Sequence, residues 1–406
     1  MTIKDKIVSV IGQGYVGLPL ALAAAQSGWN VVGIEIDSVR FEQLSSGKSP
    51  IEGTESSQLQ AFLNSGQYRA EHNFSSLNEA DIIVVCVPTP LDEKGKPELS
   101  ALREVIQSID KYAKSNALII NESTSHPGTL RNMFYSELEQ DESARRFEYA
   151  VAPERIDPGN FKFSISNTPR VVGALTENAL VRASNFYRSF CSEVIGVSSP
   201  EVAEMAKLLE NTFRLVNISL INEISKLSAK MGLNTREVVD AANTKPFGFM
   251  KFLPSIGIGG HCIPIDPIYL TEFARSQGVE QTLIETAKNI DNTMTTWIVE
   301  QVKNLEPEIR SITVVGVGYK AGSRDTRHSP SIRLIRALRD SGYQVDWLDS
   351  IVEKFEDEVS NSNLASQLAI LAAPDSKFDA ERYLIQGGKI FDFTGSLNAR
   401  KGIIQF

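Results

Sequence analysis

Residues 7–36 read I-V-S-V-I-G-Q-G-Y-V-G-L-P-L-A-L-A-A-A-Q-S-G-W-N-V-V-G-I-E-I, and this order decides the fold. The apolar run from Ile7 to Ile11 predicts a buried strand, and Gly12, Gly14 and Gly17 predict a tight turn. Leu18 to Gln26 predicts a helix and Asn30 to Ile36 a second strand. In such a unit the first glycine makes the turn, the second lets a pyrophosphate reach the backbone, and the third lets the helix close on the strand. The helix N-terminus then favours the anion. Glu35 stands about 20 residues beyond the turn, where an acid meets a ribose 2′-hydroxyl. A carboxylate there selects NAD over NADP, because it repels a 2′-phosphate. Arg40, close by, complicates that choice, since an arginine there can contact the adenosine end or accept a 2′-phosphate.

A chain of 406 residues exceeds one ordinary core, so several domains are expected. The hydrophobic fraction of 42% and charged fraction of 22% are those of a globular protein, and no apolar run reaches the length of a membrane helix. The N-terminal residues run straight into a strand and leave no room for a signal sequence, which predicts a cytoplasmic location. Three cysteines, Cys86, Cys191 and Cys262, lack metal-ligand spacing, so reduced thiols and no bound metal are expected. A net charge of -9 disfavours nucleic acid as a partner.

Further apolar runs follow. Asp81 to Val87 reads as a parallel strand buried on both faces and ends at Pro88-Thr89-Pro90, at the edge where such sheets hold ligands. Leu118 to Ile120 ends in E-S-T-S-H-P-G-T, where the hydroxyls of Ser123 and Thr124 read first as helix caps. Tyr149 to Ala152 ends in P-E-R-I-D-P-G, which puts Glu154 where acid–base work could be done, although a loop glutamate is ordinarily just solvated. From Pro200 to Ala229 there is no glycine or further proline, and apolar residues recur at helical spacing from Val202 to Ile224. This predicts one long spine helix. Lys207 and Asn211, four apart, share a face and can address one ligand. A second helix near Gln281 to Val302 is expected to pair with the spine and form a dimer interface.

Residues 257–269 read G-I-G-G-H-C-I-P-I-D-P-I-Y. Glycines at 257, 259 and 260 with prolines at 264 and 267 predict a shaped, non-helical loop. An unpaired cysteine is most often a small buried hydrophobe. Here the glycine run, His261 and Asp266 instead make Cys262 a candidate nucleophile, and Cys86, inside its strand, the core residue. Beyond it, Ser311 to Val317 reads as a strand leading into G-V-G-Y-K at 316–320, which predicts a second doubly wound unit and an internal repeat. Ser331 to Leu338 reads as its helix, with Tyr343 to Leu348 and Ala369 to Ala372 as further strands. Lys320, Arg324 and Arg327 give its loop a positive charge suited to a nucleotide diphosphate.

Read together, these residues resemble the nucleotide-sugar 6-dehydrogenases, the family of UDP-glucose and UDP-N-acetylhexosamine dehydrogenases. The resemblance is carried by G-Q-G-Y-V-G-L-P-L, C-V-P-T-P-L at 86–91, E-S-T at 122, A-P-E-R at 152, the Lys207 helix, G-G-H-C-I-P-I-D-P, and Tyr319-Lys320 followed by D-T-R at 325. It implies two Rossmann-like doubly wound domains, 1–198 binding NAD and 303–406 binding UDP, joined by a central helical domain at 199–302 that carries the cysteine loop. It implies a four-electron oxidation of the sugar C6 to a carboxylate, with Cys262 as nucleophile and two NAD reduced per sugar. Lys207 and Asn211 match positions that steady the oxyanion, and Asp266, Glu154 and Thr124 positions that order water. Gly12, Tyr15, Val16, Glu35, Arg40, Thr89 and Thr124 match NAD contacts beside Gly14, Gly17 and Pro88, with Arg327 reaching over from the third domain. Phe249 to Gly257, including Phe252 and Leu253, with Gly260, Tyr319 and Lys320, match substrate contacts, alongside Glu154, Arg155, Lys207 and Asn211. Where UDP-glucose enzymes carry F-L-A-E-G after the glutamate, this chain has R-I-D-P-G, and Pro158 brings no carboxylate. That departure favours the N-acetylhexosamine branch. The K-P-F-G-F-M run at 245–250 and the C-I-P-I-D-P loop look most like UDP-N-acetylglucosamine enzymes, ahead of UDP-N-acetylmannosamine and UDP-glucose oxidation. A non-catalytic nucleotide-sugar sensor is the competing reading from another class. The resemblance also implies a homodimer built through the central helical domain, and a place in polysaccharide biosynthesis.

Overall fold

The computed structural model describes residues 6–139, 146–156, 162–361, 365–374, 378–398 and 400–406. Two compact units make up the chain, one of Met1–Leu209 with Ile268–Phe273, the other of Glu210–Pro267 with Ala274–Phe406.

The first unit is built on eight strands: β1 (Ile7–Ile11), β2 (Asn30–Ile34), β3 (Tyr68–Glu71), β4 (Ile82–Val85), β5 (Leu118–Asn121), β6 (Glu148–Val151), β7 (Arg170–Ala174) and β8 (Val194–Gly196). Their order is β3-β2-β1-β4-β5-β6-β7-β8, parallel throughout except where β6 meets β7. Strand alternation sends Val8 and Val10 into one apolar layer and Ile11 into the other. The first layer is closed by the helices α1 (Gly17–Gln26), α3 (Ser56–Ser65) and α6 (Glu177–Arg188), and the second by α4 (Ser100–Tyr112) and the π-helix Leu130–Tyr135. Two shorter helices, α2 (Ser38–Ser45) and α5 (Ser136–Leu138), also belong to the unit. With helices on both faces, the strands are buried on both sides, and their apolar runs need not alternate with polar residues. The chain reverses direction across the sheet at β1, so the crevice for a ligand opens beyond the carboxyl ends of β1 and β4.

α7 (Pro200–Met231) is the expected spine, two residues longer than the sequence suggested. It is followed by α8 (Thr235–Asn243), α9 (Cys262–Ser276) and α10 (Thr282–Leu305). The boundary between the two units falls within α7 and α9. The second unit carries the strands β9 (Ser311–Val315), β10 (Gln344–Leu348), a short hairpin β11 (Lys354–Phe355) and β12 (Glu358–Val359), then β13 (Leu368–Leu371), β14 (Lys389–Asp392) and β15 (Ile403–Gln405). Five of them form a parallel sheet in the order β10-β9-β13-β14-β15. α10 and α11 (Pro330–Asp340) cover one face through Ile298, Val302, Leu334 and Leu338, and α12 (Ala380–Ile385) covers the other through Tyr383. Among the described residues, no helix is long and apolar enough to cross a membrane.

Candidate active site

In the first unit the three glycines make different demands. Gly12 has a φ of +87°, and a Cβ there would lie 2.6 Å from the Cys86 carbonyl oxygen. At Gly17 a Cβ would fall 1.8 Å from the Gly12 oxygen, so helix and turn close only without a side chain. At Gly14 it would meet nothing within 4 Å. The second glycine therefore keeps a surface open, and no side chain caps the N-terminus of α1 behind it. The Leu18 amide of its first turn donates to the Gly14 carbonyl at 3.2 Å and Pro19 has no amide hydrogen, so the backbone from Gly14 to Gly17 is what an anion can approach. Glu35, 4% exposed at the end of β2, accepts from the Gln13 amide (3.1 Å), the Asp37 amide (3.0 Å) and Arg40 (3.0 Å). Three of its four acceptor positions are used, which leaves one for a ribose hydroxyl. Arg40 is thus engaged with Glu35, and a bare carboxylate does not face the adenosine end. The open glycine, the uncapped helix and the oriented acid fit a dinucleotide. Tyr15 is exposed, Val16 half-buried and Pro88 exposed beyond β4, while Thr89 is buried, its carbonyl accepting from the Tyr269 hydroxyl at 3.1 Å. Cys86 and Cys191 belong to the core around them, and burial pushes the Cys191 thiol up to about 11.

Beyond β5 and β6 two expectations are corrected. Ser123 caps no helix; its hydroxyl donates to the Val87 carbonyl at 2.8 Å and ties the neighbouring strand ends together. Thr124, half-buried, precedes a π-helix that carries no side-chain cap. Glu154 is not a solvated loop acid. Its carboxylate accepts from the Arg155 and Ile156 amides, both at 2.6 Å, and pairs with Arg170 at 2.7 Å. Arg170, only 3% exposed, also reaches Glu122 at 3.3 Å, whose carboxyl burial pushes up to about 7. Arg155 donates to the Pro169 carbonyl. Asp157, Pro158 and Gly159 of the R-I-D-P-G departure lie outside the described residues.

The segment that carries Thr124 is fastened to α7 by Glu204. Its two oxygens accept from the Gly128 amide (2.6 Å) and the Leu130 amide (3.0 Å), and burial pushes its carboxyl up to about 8. Glu204 lies one turn before Lys207, so a single stretch of α7 anchors the loop and presents the lysine.

In the second unit the cysteine segment corrects the largest expectation. Cys262 is the first residue of α9, not part of a non-helical loop. Proline holds φ near the helical value, so Pro264 is welcome in a first turn, where amides need no partner. Pro267 is accommodated one turn further on, inside the helix. The glycines before it do behave as expected of a shaped backbone. Gly257 has φ +136° and Gly260 φ +84°. Gly259 is needed for space instead, since a Cβ would sit 2.7 Å from Pro330. The segment is pinned to its surroundings by the Ile258 amide, which donates to Asp291 at 2.7 Å, and by Arg333, which donates to the Ile258 carbonyl at 3.2 Å. Ser255 donates its amide to Asn222 of α7 at 2.8 Å, and Phe252 packs edge-on to Phe213. Leu253 is half-buried and Phe249 exposed at 37%.

Cys262 emerges exposed at the positive end of α9. One turn on, Asp266 is 1% exposed and accepts from the Asn211 side chain at 2.5 Å. The imidazole of His261 is held below its ordinary value by burial and by Arg327 and His328, so it is neutral at pH 7.

The second glycine turn repeats the topology without the cradle. Gly316 has φ +88°, but the position matching the open Gly14 is Gly318, where a Cβ would be 2.3 Å from the Ser323 oxygen. The chain fills its own pyrophosphate position. Asp349, at the end of β10 as Glu35 is at the end of β2, accepts four amides, from Val317, Gly318, Ile351 and Val352, leaving no acceptor position for a ribose. Tyr319 instead lies under Gly260, whose amide donates to the Arg327 carbonyl at 3.0 Å, so the cysteine segment and the 316–328 loop are one assembly. Lys320 lies 5.4 Å over the Tyr319 ring and Arg327 forks onto Asp325. Among the described residues no His, Cys, Asp and Glu group could hold a metal ion.

The predicted residues therefore divide between the two units. The first unit holds Gly12, Gly14, Gly17, Glu35, Thr89, Thr124, Glu154 and Lys207; the second holds Asn211, Phe252, Gly257, Gly260, Cys262, Asp266, Tyr319, Lys320 and Arg327. Arg170, Glu204 and Asp291, which hold these residues in place, were not singled out from the sequence, and Asp349 was read only as the residue that ends a strand.

Comparison with known proteins agrees with this division of labour. Sequence models of the UDP-glucose/GDP-mannose dehydrogenase family match at residues 6–191 (NAD binding domain), 201–293 (central domain) and 313–386 (UDP binding domain). The chain is 34% identical over 358 residues to a UDP-N-acetyl-D-mannosamine dehydrogenase of Methanocaldococcus jannaschii, covering 86% of this chain and 80% of that one. It is 32% identical over 356 residues to a UDP-N-acetyl-D-glucosamine 6-dehydrogenase of Pseudomonas aeruginosa, covering 85% and 83%. Its fold superposes on the UDP-D-ManNAc dehydrogenase structure from Pyrococcus horikoshii with a TM-score of 0.89, 31% identity and 98% of both chains covered. A glycine turn open for NAD, a second turn closed to it and matches to all three domains lead to one conclusion: the chain belongs to the UDP-glucose/GDP-mannose dehydrogenase family and is an NAD-dependent nucleotide-sugar 6-dehydrogenase.

Proposed function

We propose that this enzyme oxidises C6 of UDP-N-acetylglucosamine to the carboxylate of UDP-N-acetylglucosaminuronic acid, with Cys262 as covalent nucleophile. Bound NAD supplies the hydride acceptor for both two-electron steps. The chain's own residues do the rest. The Cys262 sulfur adds to the C6 aldehyde to give a thiohemiacetal; hydride loss from that carbon leaves a thioester, and water cleaves it to the acid and the free thiol. Lys207 and Asn211 steady the oxyanion. Asp266, Glu154 and Thr124 order and activate the water. Gly12, Gly14, Tyr15, Val16, Gly17, Glu35, Arg40, Pro88, Thr89 and Thr124 hold NAD, with Arg327 contributing from the C-terminal domain. Arg155, Phe249, Phe252, Leu253, Gly257, Gly260, Tyr319 and Lys320 hold the UDP-sugar. The supporting observation is Cys262 exposed at the first position of α9, where the helix dipole favours an anionic sulfur, with Asp266 one turn behind it and held by Asn211. The three domains of the reading are 1–198, 199–302 and 303–406.

The glucosamine epimer is favoured by the 245–250 run and the Cys262 loop. The mannosamine epimer is the second reading, since the relatives from Methanocaldococcus jannaschii and Pyrococcus horikoshii carry that name. The sensor reading has no support among the relatives. Comparing kcat/KM for UDP-N-acetylglucosamine, UDP-N-acetylmannosamine and UDP-glucose decides the substrate. A higher value for either of the other two overturns the choice. Cys262→Ala is expected to abolish acid formation, and acid formed at near-normal rate by that variant removes the covalent mechanism.

A further inference from the structure

Glu154 stands three residues beyond the end of β6, at the ligand edge of the sheet, and its carboxylate is held by three donors. Two are the adjacent Arg155 and Ile156 amides on Oε1. The third is Arg170, whose Nη2 donates to Oε2 at 2.7 Å, leaving one acceptor position on that oxygen directed by the guanidinium. The same guanidinium donates through Nη1 to the carbonyls of Ala152 (3.2 Å) and Pro153 (3.3 Å) and to Glu122 Oε2 (3.3 Å). Behind it the Tyr187 hydroxyl donates to Glu122 Oε1 at 2.5 Å, and the Tyr187 ring lies 5.0 Å from the guanidinium carbon. Arg170 thus spans two carboxylates and both carbonyls of the turn that delivers Glu154. A buried cation with no substrate role is expensive to retain, and a lysine could not make this set of bonds, because only the planar fork offers donors in two directions at fixed angles.

We infer that Arg170 is a positioning residue that fixes the Glu154 carboxylate for the reaction, with Glu122 and Tyr187 as the buried support that holds the guanidinium in register. The inference rests on the role given to Glu154 in the proposed function. Arg170→Lys keeps the charge but loses the fork, so Glu154 shifts from the place the turn and the guanidinium jointly set. A misplacement of this kind is expected to lower kcat about 100-fold. NAD affinity, which depends on the glycine turn, stays within about twofold. A residue that only stabilised the fold would not separate the two.

The test is a double-mutant cycle. Arg170→Lys, Glu154→Gln and the pair are compared in kcat, with NAD Kd and thermal unfolding measured alongside. Because Arg170 acts through Glu154, Arg170→Lys is expected to cost less than about twofold more once Glu154 is already Gln. Losses that multiply, or an Arg170→Lys enzyme with kcat near normal, overturn the inference while leaving Glu154 in its role. If Glu154→Gln alone turns over normally, the role of Glu154 fails and the inference falls with it. If Arg170→Lys does not fold alone, Arg170→Lys with Glu122→Gln decides, since one lysine then has one buried carboxylate to serve. The same kcat loss is expected there, and near-normal kcat overturns the inference.

Discussion

Gly14 and Gly17 are three residues apart and carry opposite constraints, one open to a ligand and the other closed on the backbone. Gly14→Ala meets nothing in the folded chain, so its unfolding temperature should match the parent while NAD binding weakens by about tenfold, or ~1.4 kcal/mol. Gly17→Ala puts a methyl group against the Gly12 carbonyl and should cost more than the usual ~1–3 kcal/mol of overpacking. Calorimetric titration with NAD and thermal unfolding of both variants check this. Equal loss of NAD binding and stability in the two would mean that the turn has no open face. The same logic separates the paired acids: Glu35 has an acceptor position to offer and Asp349 has none, which is why one turn serves a dinucleotide and its repeat does not.

At the scale of elements, the Glu204 contact joins the Thr124-bearing loop to α7, and its titration has a definite sign. With its folded value raised by burial from the ordinary 4.5 to about 8, the folded chain binds this proton more tightly than the unfolded one. The stability it contributes is present below pH 4.5 and is lost as pH rises to about 8. Glu204→Gln should therefore show a flatter fall in unfolding temperature between pH 5 and 8.5 than the parent, besides losing about 1–3 kcal/mol for an amide left without its acceptor. Parallel slopes would contradict this. The carboxylate clamps were illegible in the sequence because their partners lie far apart along it, 76 residues for Glu204 to Gly128 and 48 for Arg170 to Glu122. The strands and α7 were legible, since apolar runs and an unbroken helical period depend on neighbours only. The start of α9 was misread because prolines break helices in general, yet Pro264 falls in the first turn, which suits it, and Pro267 is accommodated inside the helix. Predicted strands overran their ends, at Glu35 and Cys86, because there the chain leaves the ladder to turn towards the ligand edge.

At the scale of the whole molecule, the part of α7 in the second unit leaves Phe213, Leu220 and Leu227 exposed, and their seven-residue spacing puts them on one stripe. We propose that a second copy covers it. Sedimentation should give twice the chain mass of 44.7 kDa, and Leu220→Glu with Leu227→Glu should shift it to the monomer. A monomeric parent removes the proposal. If one enzyme carries the sugar through two oxidations on one cysteine, limiting UDP-N-acetylglucosamine with excess NAD yields two NADH for each sugar consumed and a UDP-uronic acid as product. One NADH with aldehyde released, or none with any of the three UDP-sugars, would contradict it.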